Sequence, residues 1–518
     1  MSRTTGSGII DLSWRLVKYD RSAWPSNGPR NYEGVTFMDT VFPDIPLYKG
    51  WGAPLRLESD IRDLRLVQGQ VPRDLAGMLY RCGPDRQYPS MATDDIFIDG
   101  EGMAHLFRFE NGHVDYRSRW VRNERFRLQE QARRSLFGRY RNRYTNDPGV
   151  AGRNMGTANT NIVWHGRKLL ALKEDSLPIE LDPQSLETRG EWRYEGSVSA
   201  VSLTAHPKLD YHTNELLTFS YQARGDATTD IVFYIAGEGG KIVHETWFTM
   251  PYPGMVHDFA VTDTHVIVPF FPLITDMAVL KQGGPFYQWH PDKHSHFAIL
   301  PRRGTAREVR WFHGPAVSAG HMMNAFNEGS QLHLDLCLYN GNCFDFFPSH
   351  DGSPFKGSPP QLTRLSFDLA GKHDGYEAKL LCPVPMEMPK CDDRYVGKPY
   401  RYGYGICRSP TARTGEVGMG AIGCIDHHTG TLTSWSPGEN CGVHEPNFVV
   451  KPGAPEGEGY LLAIVNRFAD NHSDLAILNA RDIAAGPIAL LTLPVRVRST
   501  FHGMWVPETA LRTGRYVA

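Results

Sequence analysis

Four of the 21 histidines in this 518-residue chain, His206, His257, His321 and His502, each stand at a predicted strand edge or turn. Together they could hold one metal ion in a shell of neutral imidazoles that brings no protein charge to it. His206 lies in TAHPKLD, His257 in MVHDFAVT, His321 in GHMMNAFNEG and His502 in STFHGMW. No two of them stand at the short spacing of an HExxH or CxxC site, so spacing does not separate these four from the rest. Taken singly, a histidine beside apolar residues is ordinarily a hydrogen-bonded structural side chain.

The elements that must position them are strands. Short β-type runs recur, among them HLFRF, NIVWH, LLALKE, LLTFSY, DIVFYIA, HVIVPFF, LHLDLCL, YLLAIVN and DLAILN, and clusters of Gly, Asn, Asp and Pro separate them. The text reads as all-β, and pattern alone leaves barrel, sandwich and propeller open. The segment 125–140, RFRLQEQARRSLFGRY, is the exception, a predicted short helix with basic side chains on a solvated face. The most apolar stretch, 265–280, is broken by Pro269, Pro272 and Asp276 and reads as a buried strand and a following loop.

Composition narrows the function class. With 41% hydrophobic residues, 22% charged residues and a formal charge of −2, the chain has the profile of a globular protein with no electrostatic case for nucleic acid or an anionic membrane. No stretch reaches the roughly 18 apolar residues of a transmembrane segment, and the first residues lack the basic-then-apolar order of a signal peptide. Eight cysteines without CxxC spacing read as reduced thiols, which predicts a cytoplasmic protein, and the lone sequon at Asn471 then carries no weight. Oligomeric state has no signature in this sequence.

Further segments identify a resemblance. RCGPDRQYP (81–89), FIDGEGMAHLFRF (97–109), ANTNIVWHGRKLLALKED (158–175), ELDPQSLETRG (180–190) and HEPNFV (444–449), together with the four histidine segments in this order, resemble the carotenoid cleavage oxygenase superfamily from about residue 55 to 506. ARRSLFGRYRNRYTNDP (132–148), HETWF (244–248) and LPRRG (300–304) look most like its branch acting on aromatic alkenes, the lignostilbene dioxygenases and isoeugenol monooxygenases. The resemblance implies a seven-bladed β-propeller with a dome of loops and short helices over an axial iron site. It also implies that His206, His257, His321 and His502 bind Fe(2+). Residues 1–45 then form an N-terminal extension, and 46–518 a single oxygenase domain.

The implied reaction is oxidative cleavage of a carbon–carbon double bond by dioxygen, one oxygen atom going to each carbon, with release of two carbonyl products. The implied substrate is a small apolar or aromatic alkene such as a stilbenoid or isoeugenol. Ring nitrogens that do not face the metal need partners, and in this superfamily glutamates supply them. The matching positions are Glu387 in MEMPK and Glu445 in HEPNFV; the third falls in TANTNIV, where Asn159 is expected to hold a ring without supplying charge. Glu174, Asp258 and Glu328 are candidates either for structural work near turns, the favoured reading, or for a place behind the metal-facing rings.

Lignostilbene dioxygenases hold the substrate hydroxyl with a Tyr and a Lys. The nearest match to that Lys here is Arg127, which stays protonated and so could steady a phenolate or carboxylate without taking a proton. No Tyr stands in DDIFIDGEGM, and Phe97 is a candidate substrate contact there, with Trp51, Phe326, Phe344 and Phe346 as further candidate cavity aromatics. Two other classes define the alternatives. A carotenoid or apocarotenoid cleavage enzyme would share the iron site and need a longer tunnel. A non-enzymatic propeller scaffold should show a repeated blade motif, and no WD-like or kelch-like period is present.

Overall fold

A computed structural model describes residues 31–32, 35–36, 40–355, 357–410 and 419–516. Met1–Phe42 is a compact unit separate from Pro43–Ala518. In the first, Asn31–Tyr32 pairs antiparallel with Val35–Thr36, and most of the expected 1–45 extension lies outside the described residues.

The unit from Pro43 onward is a seven-bladed propeller of antiparallel sheets. Blade 1 contains Gly503–Pro507, Gly77–Asp85, Glu101–Glu110, His113–Trp120 and Ser59–Ile61. Blade 2 begins at Asn161–His165, blade 3 at Lys208–Asp210, blade 4 at Ala260–Val261 and blade 5 at Ser318–Glu328. The long strand Glu377–Cys391 ends blade 5 and, past a bulge, begins blade 6. Blade 7 runs from Asn447–Val450 through Gly459–Arg467, His472–Asn479 and Pro487–Leu493 to Arg65–Gly69. Two blades are therefore completed by strands from opposite ends of the chain: Leu491 pairs with Leu66 in blade 7, and Trp505 pairs with Leu79 in blade 1.

Both faces of most blades are covered, so the central strands read as continuous apolar runs rather than as alternation. Every residue of Gly77–Asp85 is buried, as is all but the last of Gly459–Arg467. Side chains of neighbouring blades interlock between the sheets: Tyr80 and Leu106 of blade 1 meet Ile162 and Leu170 of blade 2, and the cluster continues to Leu216 and Val232 of blade 3.

The helix expected over 125–140 is shorter. It spans Glu124–Ala132, capped by the Asn123 side chain accepting from Phe126 N, and ends where Arg133 takes a left-handed φ of 55°. Its basic face is also not wholly solvated, because Arg125 is buried against Asp99 and Glu101. The stretch 265–280 does give a buried strand, His265–Phe270, but Pro269 sits inside that strand instead of breaking it. Its partner on one side, Ala260–Val261, has already ended by then, so the missing N–H forfeits no ladder bond. No helix among the described residues is long and apolar enough to cross a membrane.

Candidate metal centre

The leading strands of the blades converge on the propeller axis, and each of the four histidines sits at or just before one of them. His206 precedes Lys208–Asp210, His257 precedes Ala260–Val261, and His502 precedes Gly503–Pro507. His321 lies within Ser318–Glu328 at a register irregularity between Ala319 and Met322. A bulge there re-aims the side chain toward the axis. The imidazole nitrogens of all four lie within 4.8 Å of one another, and His206 Nε2 is 3.1 Å from His257 Nε2. Two ligands about 2.1 Å from one ion and at right angles are about 3 Å apart, so this separation suits a shared cation.

Three of the rings are fixed from behind by carboxylates. His257 Nδ1 donates to Glu174 at 2.7 Å, His321 Nδ1 to Glu387 at 2.6 Å and His502 Nδ1 to Glu445 at 2.8 Å. With the proton held at Nδ1, each Nε2 turns a lone pair to the axis. His321 Nε2 is buried and has no hydrogen-bond partner, an orphaned acceptor that a cation would satisfy. Burial, then the charge His502 and the other imidazoles would carry, holds His206 well below the ordinary imidazole range. Burial likewise pushes His502 down to about 3, whereas at His321 burial is outweighed by Glu387 and the net shift is upward. The donor set, four imidazoles backed by three carboxylates, fits iron(II) or a similar divalent ion.

Glu387 and Glu445 thus stand where the sequence places them, but Asn159 does not hold a ring. Its amide donates to Ile98 O and Gly100 O, and its oxygen accepts from Lys173 and Thr160. The third carboxylate is Glu174, for which the sequence favours a structural role and leaves a place behind a ring as the alternative. The signal was present in the pairing. Asn161–His165 and Lys168–Leu172 form a hairpin in which Asn161 faces Leu172, and Glu174 lies in the turn that follows, just past the last pair. Asp258 accepts from Phe259 N, Met322 N and Lys208 Nζ, tying the start of blade 4 to blade 5. Glu328 is exposed at the far end of its strand.

Behind these carboxylates lies a further layer that sequence reasoning missed. Glu174 accepts from Tyr221 OH at 2.9 Å, and Arg141 donates to both Tyr221 and the adjoining Tyr287. Arg141 belongs to the 132–148 segment, so that motif reaches the metal centre through a buried tyrosine pair. Arg81, from RCGPDRQYP, donates to Glu445 at 2.7 Å with both side chains buried. Burial raises the Glu445 carboxyl, but the Lys390 and Arg81 cations and the hydrogen bond from His502 outweigh it and hold the group well below the usual carboxylate range.

Aromatic rings cover one side of the centre. Phe344 packs edge-on to His257 at 5.9 Å, Phe97 contacts Phe346 at 6.0 Å and Phe501 at 5.8 Å, and Phe97 is 45% exposed. Phe97, Phe344 and Phe346 therefore gather near the histidines, while Trp51 packs on Phe468 and Phe326 against His333 and Tyr400. Arg127 points away from any buried site, exposed on its helix. The buried arginine of that helix is Arg125, locked by Asp99 and Glu101. A cavity of about 130 Å³ with mixed polar and apolar walls is bordered by His206, His321 and His502 and by Lys208, Lys390 and Asp393.

Residues 52–507 match the family model described as retinal pigment epithelial membrane protein. The chain is 42% identical to isoeugenol monooxygenase of Pseudomonas nitroreducens, over 89% of this chain and 98% of that protein. It is 38% identical to lignostilbene-alpha,beta-dioxygenase isozyme III of Sphingomonas paucimobilis, over 91% and 99% respectively. The crystal structure of Pseudomonas brassicacearum lignostilbene dioxygenase superposes with a TM-score of 0.87 at 41% identity, covering 90% of this chain and 99% of that one. Its propeller, its axial histidines and these relatives agree: the chain belongs to the retinal pigment epithelial membrane protein family of carotenoid cleavage oxygenases.

Proposed function

We propose that the protein is an iron(II) oxygenase that cleaves the double bond of an aromatic alkene, a stilbenoid or a phenylpropenoid such as isoeugenol, into carbonyl products. The observation that carries this reading is an imidazole-only cluster, backed by Glu174, Glu387 and Glu445, with an open group of phenylalanines beside His257 and His502. The naming of relatives for isoeugenol and lignostilbene supports the substrate class.

When bound, iron(II) supplies the binding and activation of dioxygen. The chain's own residues do the rest. The three glutamates keep the Nδ1 protons in place and set the rings, with Arg81 and the Arg141–Tyr221 pair steadying two of those glutamates. Phe97, Phe344, Phe346 and Phe501 offer ring faces and edges to an aryl group and keep water from the reacting bond. No charged side chain from Arg127 enters this arrangement, and shape in place of ion pairing selects the substrate. Residues 46–518 act as one catalytic domain, and the eight free thiols favour the cytoplasm as its place.

The test is oxygen uptake by iron(II)-loaded protein with isoeugenol, a hydroxystilbene and an apocarotenal side by side, with products identified by mass. Aromatic aldehydes from the first two support the proposal. Cleavage of the apocarotenal alone overturns the substrate class, and uptake with none of the three overturns the activity.

A further inference from the structure

Apart from the axial centre, one other group among the described residues brings metal-ligating atoms together: His290, Asp292 and His350, whose donor atoms lie within 4.8 Å of one another. It sits where two loops meet. Trp289 N donates to Pro348 O at 2.9 Å and His350 N donates to Trp289 O at 3.0 Å, a short parallel bridge that sets His290 and His350 side by side. A turn closed by Lys293 N to His290 O folds Asp292 back against both rings. Asp292 Oδ1 is then 3.1 Å from His350 Nε2 and 3.9 Å from His290 Nδ1, while Lys293 lies 3.7 Å from the other carboxylate oxygen.

We propose that His290, Asp292 and His350 form a second, peripheral site for a divalent transition-metal ion of the zinc type. Two imidazoles and one carboxylate are a common donor set for such ions, with water completing the shell at an exposed position. The backbone bridge brings the loops together before any ion arrives, which removes most of the ordering cost. The two rings stack at 4.1 Å with only 4° between their planes, and parallel rings cannot both aim lone pairs at one ion. One ring has to turn about its χ2 bond, and His350, with a side chain 35% exposed, is free to do so.

The loop so fastened is the one carrying Phe344, Phe346 and Phe347. An ion at its far end would hold that aromatic wall against the axial centre; this consequence rests on the proposed function, whereas the metal site does not.

The test uses iron(II)-loaded protein under anaerobic conditions, titrated with zinc by calorimetry and assayed for both metals after gel filtration. Wild type should retain one zinc in addition to its iron. His350→Ala should weaken zinc binding by at least about a hundredfold, because removing a ligand costs no less than disturbing an outer-shell partner, and His290→Ala with His350→Ala should abolish it, with iron content unchanged in both. Absence of a saturable zinc equivalent in wild type overturns the site, as does equal binding by the double variant. Amide exchange over residues 344–350 should slow with zinc in wild type alone, and unchanged exchange in zinc-bound wild type overturns the fastening role. None of these readouts depends on oxygenase turnover.

Discussion

At His257 both ring nitrogens are committed: Nε2 to the axis beside His206, Nδ1 to a carboxylate that is itself held by a buried tyrosine. His257→Ala should therefore lower the bound iron and abolish activity, which metal analysis of the purified protein and an oxygen-uptake assay check together. Glu174→Gln keeps a hydrogen-bond acceptor but removes the charge. It should weaken iron binding by about 10- to 100-fold, as outer-shell changes do, measured by competition with a chelator. Asp393, in the axial cavity beside Tyr211, is different: burial pushes its carboxyl up to about 6. An acid with a raised folded-state pKa favours the folded state below the unfolded value near 4, and that advantage is lost as pH rises through 6. Asp393→Asn should thus stabilise the protein by roughly 1–3 kcal/mol at pH 7, with the gap closing toward pH 4 in urea melts. The four clustered histidines were legible because their segments are long matches to a known pattern. The sequence leaves Glu174 between a structural and a ring-supporting role and does not single out Arg125, because each depends on a register or helix phase that sets which neighbour turns inward.

The element that aims His321 is a bulged strand, and it tolerates little change. Gly320 lies so close to Glu387 that a Cβ there would meet Oε1 at 2.7 Å, and the carboxylate cannot step aside without leaving His321, Tyr339 or Met388 N. Gly320→Ala should cut iron content severalfold while leaving the circular dichroism of the β-fold unchanged. The same scale explains what pattern reading could and could not give. The strand runs were visible as apolar segments between turn residues, so the all-β class followed. The hairpin partner of TANTNIV required counting across the Gly166–Arg167 turn. The helix at Glu124–Ala132 ended early for a local reason, the left-handed Arg133, that propensity does not report. Pro269 misled because a proline breaks a ladder only where a partner strand is present.

Across the whole molecule, the ring is closed at two seams, Pro487–Leu493 on Arg65–Gly69 and Gly503–Pro507 on Gly77–Asp85. Leu491, buried at the first seam, packs in the cluster that joins blades 7 and 1. Leu491→Ala should cost about 2–5 kcal/mol in urea denaturation, the range for emptying a core leucine site, even though it is remote from the metal. The second seam carries His502 with it, and this has a consequence in time. During synthesis His206, His257 and His321 emerge first, and the fourth ligand follows only after the rest of blades 5, 6 and 7. At about 5–20 residues per second, the interval from His321 to His502 lasts on the order of 10–40 s. Through that interval the growing chain offers three imidazoles and no closed ring, a looser and less selective binder than the finished centre. For a four-histidine centre the complete donor set exists only once the last blade seats, so the order of synthesis adds a constraint in time to the one of geometry.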